Sequence, residues 1–203
     1  TIGATSLTML TGTARDVATV ITAAGITLVG TEAVELTAGT AAAADLITIN
    51  ANTTVPLVNA TNVTAVTGAA TAIALALTSA GITFNGSEAV TLTETDLGAI
   101  TLVAIDGATS SKVVATSITT LTGMTSDVLF AVTSMGITLN GSEAITLSDT
   151  GTVAAEDLNT IDSKTSGLVD AHSVTQVSGA ATAIAQALTA HTITFSGNEA
   201  VTL

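Results

Sequence analysis

The sequence predicts an α/β solenoid, and three observations carry that expectation. The chain resembles itself at a fixed spacing, each copy alternates a β-branched strand with an Ala-rich helical run, and the composition suits thin stacked layers. The self-similarity is clearest in the tetrads Gly30-Thr31-Glu32-Ala33, Gly86-Ser87-Glu88-Ala89, Gly141-Ser142-Glu143-Ala144 and Gly197-Asn198-Glu199-Ala200, whose Glu residues are 56, 55 and 56 apart. Thr11-Gly12, Thr67-Gly68, Thr122-Gly123 and Ser178-Gly179 repeat the same spacings, as do Ile26, Ile82, Ile137 and Ile193. Three columns in step define about three and a half copies of a 56-residue unit across residues 1–203, a single repeat array.

Each copy divides into two halves of similar grammar. In one half, Ser173–Val177 reads as a short strand, Ser178-Gly179 as a turn, Ala180–Leu188 as a helix and Thr192–Phe195 as extended chain. In the other, Ala144–Leu147 is a strand, Ser148–Gly151 a turn, Val153–Ile161 helical and Gly167–Asp170 extended. The strands alternate β-branched residues, which fit a half-buried pleated surface. Half-units start at Ile145, Val174 and Val201. They give strand–turn–helix–strand coils of about 27–29 residues, the size of one coil in leucine-rich-repeat-like stacking. Strands stack about 4.8 Å apart and helices about 8–10 Å apart. Narrow Ala-rich helices such as Ala70–Ala80 reduce that mismatch. One wide turn spanning the whole repeat is the alternative.

Composition narrows the function. Charged residues make up 9% and aromatics 1%, with no Cys, no Trp and no Tyr, while 43 of the 203 residues are Thr. The net charge of −13 offers no basic surface to nucleic acid, and there are no aromatic platforms for stacking bases. No disulfide framework or Cys-ligated metal site can form. The uncharged stretch Asn62–Asn85 is long enough to span a bilayer, but Thr and Gly interrupt it, and its counterparts carry Arg15, Asp16 and Asp127. No membrane span is expected. An apolar content of 47% is ample for a core. The chain opens without Met and stops within a repeat, as a piece of a longer protein would.

The acidic residues are the candidates for a site. Glu32, Glu88, Glu143 and Glu199 recur at corners, where they are expected to accept hydrogen bonds from turn or strand amides. Alternatively, together with Asp149, Glu156, Asp157 and Asp162, they are candidate ligands for Ca²⁺, a hard ion that takes six to eight oxygens. Asn50, Asp106 and Asp162 close successive helical runs, and Asn59 and Asp170 form a weaker column; turn-forming roles are expected for these. His172 and His191 are expected at the surface, and Pro56 at a corner insertion. Thr91-Leu92-Thr93 and Thr192-Ile193-Thr194 each place two Thr on one strand face, the spacing of a surface-recognition ladder, but they fall in different slots of the repeat. No nucleophile elbow, phosphate loop or His–acid constellation is present, so no enzyme is expected.

Segments such as Gly151–Asp162, Gly167–Ala171, Thr120–Gly123 and Gly141–Leu147 resemble the repeats of giant extracellular proteins of marine cyanobacteria, among them a cell-surface component needed for swimming. They are also similar to fibre repeats of the phages that infect these cells. The resemblance covers nearly the whole chain and implies an extracellular or cell-surface role, structural or adhesive, with no catalytic residues and no required cofactor. The expected function is a structural repeat module of a filament, surface layer or adhesin stalk. Its partners are neighbouring repeats or copies of itself end to end, and a Ca²⁺- or surface-binding module is the alternative.

Overall fold

The computed structural model describes residues 1–54 and 58–203, so the expected corner at Pro56 lies outside the described residues. The fold is α/β, with parallel sheets and seven helices among the described residues. In chain order the elements begin β1 (Ile2–Gly3), β2 (Met9–Gly12), α1 (Ala14–Thr22), β3 (Ile26–Thr27), β4 (Ala33–Leu36), β5 (Gly39–Ala42) and α2 (Ala43–Asn52). They continue β6 (Val58–Asn59), β7 (Val63–Gly68), α3 (Ala70–Thr78), β8 (Ile82–Thr83), β9 (Ala89–Leu92), β10 (Asp96–Gly98), α4 (Ala99–Ala108) and β11 (Val113–Val114). The remainder are β12 (Thr120–Gly123), α5 (Thr125–Thr133), β13 (Ile137–Thr138), β14 (Ala144–Leu147), β15 (Thr152–Ala154), α6 (Ala155–Asp162), β16 (Val169–Asp170), β17 (Gln176–Ser178), α7 (Ala181–Thr189), β18 (Ile193–Thr194) and β19 (Ala200–Thr202). No helix among the described residues is long and apolar enough to cross a membrane.

These residues form two compact units, Thr1–Thr93 with Ile105–Val114, and Glu94–Ala104 with Ala115–Leu203. In the first unit, β2, β4, β6 and β8 pair in that order, and β5, β7, β9 and β11 form a second parallel ladder. In the second unit the ladders are β10-β12-β14-β16-β18 and β15-β17-β19. Parallel neighbours need a long crossover between them, and here the crossover has a nearly constant length. Val34 sits beside Val58 and Val58 beside Ile82; Leu121 sits beside Ile145, Ile145 beside Val169 and Val169 beside Ile193, so that sequence numbers climb by 24 at every step. A bulge at Gly39/Thr40 lengthens one step to 25 (Ala41 beside Val66), and Val90 beside Val113 shortens another to 23.

The 24-residue step differs from the expected 27–29. That longer spacing belongs to the helices. They start at positions 14, 43 and 70 in the first unit, intervals of 29 and 27, and at 125, 155 and 181 in the second, intervals of 30 and 26. A 56-residue repeat is two steps of 24 with eight residues over, so like strands drift past one another. Within each unit no strand pairs with its own counterpart in the next repeat: β14, an Ala-Ile-Thr-Leu strand, lies between Thr-Leu-Thr-Gly of β12 and Val-Asp of β16. What every step conserves is the inward residue. Leu97, Leu121, Ile145, Val169 and Ile193 form one buried column, and the residues on either side point outward.

The helices bury a single narrow stripe. Ala43, Leu46 and Ile49 of α2, Ala70, Ile73 and Ala76 of α3, and Ala155, Leu158 and Ile161 of α6 are all fully buried at a spacing of three. Helix α2 packs on α1 and α3 in the first unit, and α6 on α5 and α7 in the second. Four helices, α1, α3, α5 and α7, end in the same way. Thr22, Thr78, Thr133 and Thr189 donate their hydroxyls at 2.6–2.8 Å to the carbonyls of Ala18, Ala74, Leu129 and Ala185, four residues back. The following residue then turns extended, with ψ between 114° and 132°. Such a hydroxyl shares its carbonyl with the Thr's own backbone amide, which slightly weakens and bends the last turn.

Close approach is tested at Gly167, where an added Cβ would lie 2.3 Å from the Glu143 carbonyl oxygen, and at Gly151, where it would meet nothing within 4 Å. Gly167→Ala is expected to lower unfolding free energy in urea by about 1–3 kcal/mol, while Gly151→Ala stays within about 0.5 kcal/mol of the parent.

Candidate functional site

The recurring carboxylates sit at four tight turns, each opened by a Gly in the left-handed region. The φ values are +83° at Gly30, +82° at Gly86, +79° at Gly141 and +87° at Gly197, a conformation that disfavours any residue with a Cβ. The Glu two residues on folds back over the turn. Glu32 accepts the Val29 and Gly30 amides at 2.8 Å each. Glu88 Oε1 accepts those of Asn85 at 2.9 Å and Gly86 at 3.2 Å. Glu143 Oε1 accepts those of Asn140 at 2.6 Å and Gly141 at 3.1 Å. Glu199 accepts the Gly197 amide at 3.1 Å and the Ser196 hydroxyl at 2.6 Å. Glu32, Glu88 and Glu143 are each 1% exposed, so in these three turns backbone donors bond a buried carboxyl, while Glu88 Oε2 is buried without a partner.

A clamp from the next ladder step completes each of the first three turns. Thr54, Ser110 and Ser166 each donate both the backbone amide and the hydroxyl to the carbonyls of Gly30, Gly86 and Gly141, at 2.8–3.2 Å. These partners lie a full ladder step away and escape a reading of sequence that looks only within one turn. Their signal is the hydroxyl residue recurring at 54, 110 and 166.

The other acidic candidates are dispersed. Asp149 Oδ2 accepts the amide and hydroxyl of Thr125, both at 2.7 Å, and so caps α5 from one ladder step away. Glu156 accepts the Ala180 amide at 3.3 Å, just before α7. Negative charge at a helix N-terminus complements the macrodipole. Asp157 lies half-buried in the first turn of α6. Asp162 ends α6 with Oδ1 buried and without a partner. Its counterpart Asn50 bonds the hydroxyl of Ser79 at 3.2 Å, but the residue matching Ser79 is Ala190, which has no hydroxyl to give. Among the described residues, no three His, Cys, Asp or Glu side chains lie close enough together to hold a metal ion.

His172 is exposed, its Nδ1 2.6 Å from Asp170 Oδ1, and His191 is exposed as well. Thr91 lies beside Thr67 in one ladder, whereas Thr194 lies beside Asp170 in another. No protein-family model, curated protein or solved structure matches the chain.

Burial alone pushes the Glu32 carboxyl up, but the amides of Val29, Glu32, Gly30 and Thr31 together outweigh it and hold it below the ordinary Glu value. At Glu199, burial likewise pushes upward, and the Ser196 hydroxyl with the amides of Glu199, Ser196 and Gly197 prevails. A carboxyl lowered on folding stabilises the fold above its unfolded value of about 4.3, and that contribution is lost as pH falls through the lower folded value. The melting temperature should therefore hold above about pH 4.3 and fall as the pH drops from there through the lower folded value. The drop should be shallower in Glu32→Gln, and melting curves across the acid range measure it.

Proposed function

We propose that the chain is a non-catalytic structural repeat module of an extracellular filament, surface layer or adhesin stalk, folded as a solenoid. The observation that carries the reading is the use made of the acidic side chains. The recurring Glu residues, Asp149 and Glu156 hold backbone amides of turns and helix starts. They are building parts, placed at ladder steps, in the manner of an array whose length scales with copy number. The resemblance to repeats of giant extracellular proteins of marine cyanobacteria, and to fibre repeats of the phages that infect them, supports the extracellular setting. A net charge of −13 keeps such an array soluble, and salt in the medium limits its self-repulsion.

In this proposal the partners of each repeat are the repeats before and after it, or further copies of the chain. Chains carrying one 56-residue repeat more or fewer should change in stability and in urea m-value in step with copy number. Their melting temperatures should be the same in Ca²⁺ and in chelator. A chelator-induced fall in melting temperature would instead favour the Ca²⁺-binding module, and copy-number independence would contradict the array.

A further inference from the structure

Two of the glutamate turns contain a bond that the other two lack. Asn precedes the glycine at Asn85-Gly86 and Asn140-Gly141, where Val29 and Ser196 stand in the remaining copies. Asn-Gly is chemically labile because glycine, lacking Cβ, leaves its nitrogen free to approach the neighbouring carboxamide. The Gly nitrogen loses its proton and attacks Cγ of Asn; an N–Cγ bond forms, the Cγ–Nδ2 bond breaks, and ammonia leaves. Water then opens the cyclic imide to Asp or to isoaspartate.

Every polar group this reaction must move is engaged in both turns. The Gly86 amide donates to Glu88 Oε1 at 3.2 Å, and the Gly141 amide to Glu143 Oε1 at 3.1 Å. A carboxylate beside that nitrogen opposes the negative charge that develops when the proton leaves. The carboxamide is pinned at both ends. Asn85 Oδ1 accepts the amide and hydroxyl of Ser87, and its Nδ2 donates to the Thr61 carbonyl at 2.9 Å. Asn140 Oδ1 accepts the amide and hydroxyl of Ser142, and its Nδ2 donates to the carbonyls of Thr116 and Ile118 at 3.2 and 2.9 Å. Both Asn residues are exposed, so water has access and geometry alone restrains them.

We infer that Asn85 and Asn140 are latent succinimide sites, locked by the glutamate turns that contain them. Opening a turn releases the lock. Conversion to Asp then removes the Nδ2 donor and adds a charge, and isoaspartate also lengthens the backbone. Either change keeps the turn from closing as before, so the modification records that the turn has opened.

Peptide mapping by mass spectrometry, on the full chain held at neutral pH, measures conversion at the two sites separately. Both are expected to convert at least about tenfold more slowly in the folded protein than in urea, because reaction waits on local opening. Ser87→Ala removes one hydroxyl at an exposed position, and should speed conversion at Asn85 about fivefold, the worth of one hydrogen bond, with Asn140 unchanged. Ser142→Ala should do the reverse. Equal rates in folded and urea-treated protein would overturn the inference, as would serine variants that leave both rates at the parent value.

Discussion

The structure depends on one constraint: parallel backbone ladders that advance by a 24-residue step. Each strand is only two to six residues long, too short to hold its neighbour by many hydrogen bonds. What fixes the register is the inward aliphatic residue at each step, because a slip by one residue would turn that side chain to solvent. The helices are subordinate to this step. They recur at a different interval and adapt by being narrow, burying Ala, Leu or Ile at a spacing of three.

Corners are the cost of a short step. Turning the chain this tightly exposes amides that neither strand nor helix satisfies, and burying them unpaired is unfavourable. The chain answers with Gly at positive φ and a Glu that bonds two amides at once. Hydroxyl residues from the next step then fill the remaining carbonyls. This explains where a Thr-rich, acidic composition goes. Thr bonds back at the ends of four helices and ties steps together, and several of the acidic side chains accept backbone amides.

Local elements were legible in the sequence. The strand at Ala144–Leu147 has the expected bounds, and the helices expected at Val153–Ile161 and Ala180–Leu188 are observed at Ala155–Asp162 and Ala181–Thr189. Amide bonding by the recurring Glu follows from the turn chemistry of Gly-x-Glu. The ladder step is masked in the sequence, because the 56-residue identity columns suggest that like stacks on like. Its signal is present in Leu97, Leu121, Ile145, Val169 and Ile193, which share a chemical type but no local motif. The capping roles of Asp149 and Glu156 stayed hidden for the same reason: each partner is one ladder step away.

The ladder step can be tested by cross-linking, since the chain has no cysteine of its own. Thr122 and Thr146 are exposed neighbours in the β12–β14 pair, and Thr150 is the exposed residue at the 28-residue distance from Thr122. Adjacent parallel strands lie about 4.8 Å apart, within the span a disulfide bridges. The 24-residue step predicts that Thr122→Cys with Thr146→Cys oxidises readily to an intramolecular disulfide, while Thr122→Cys with Thr150→Cys does not. A bridge between 122 and 150, with none between 122 and 146, would contradict it.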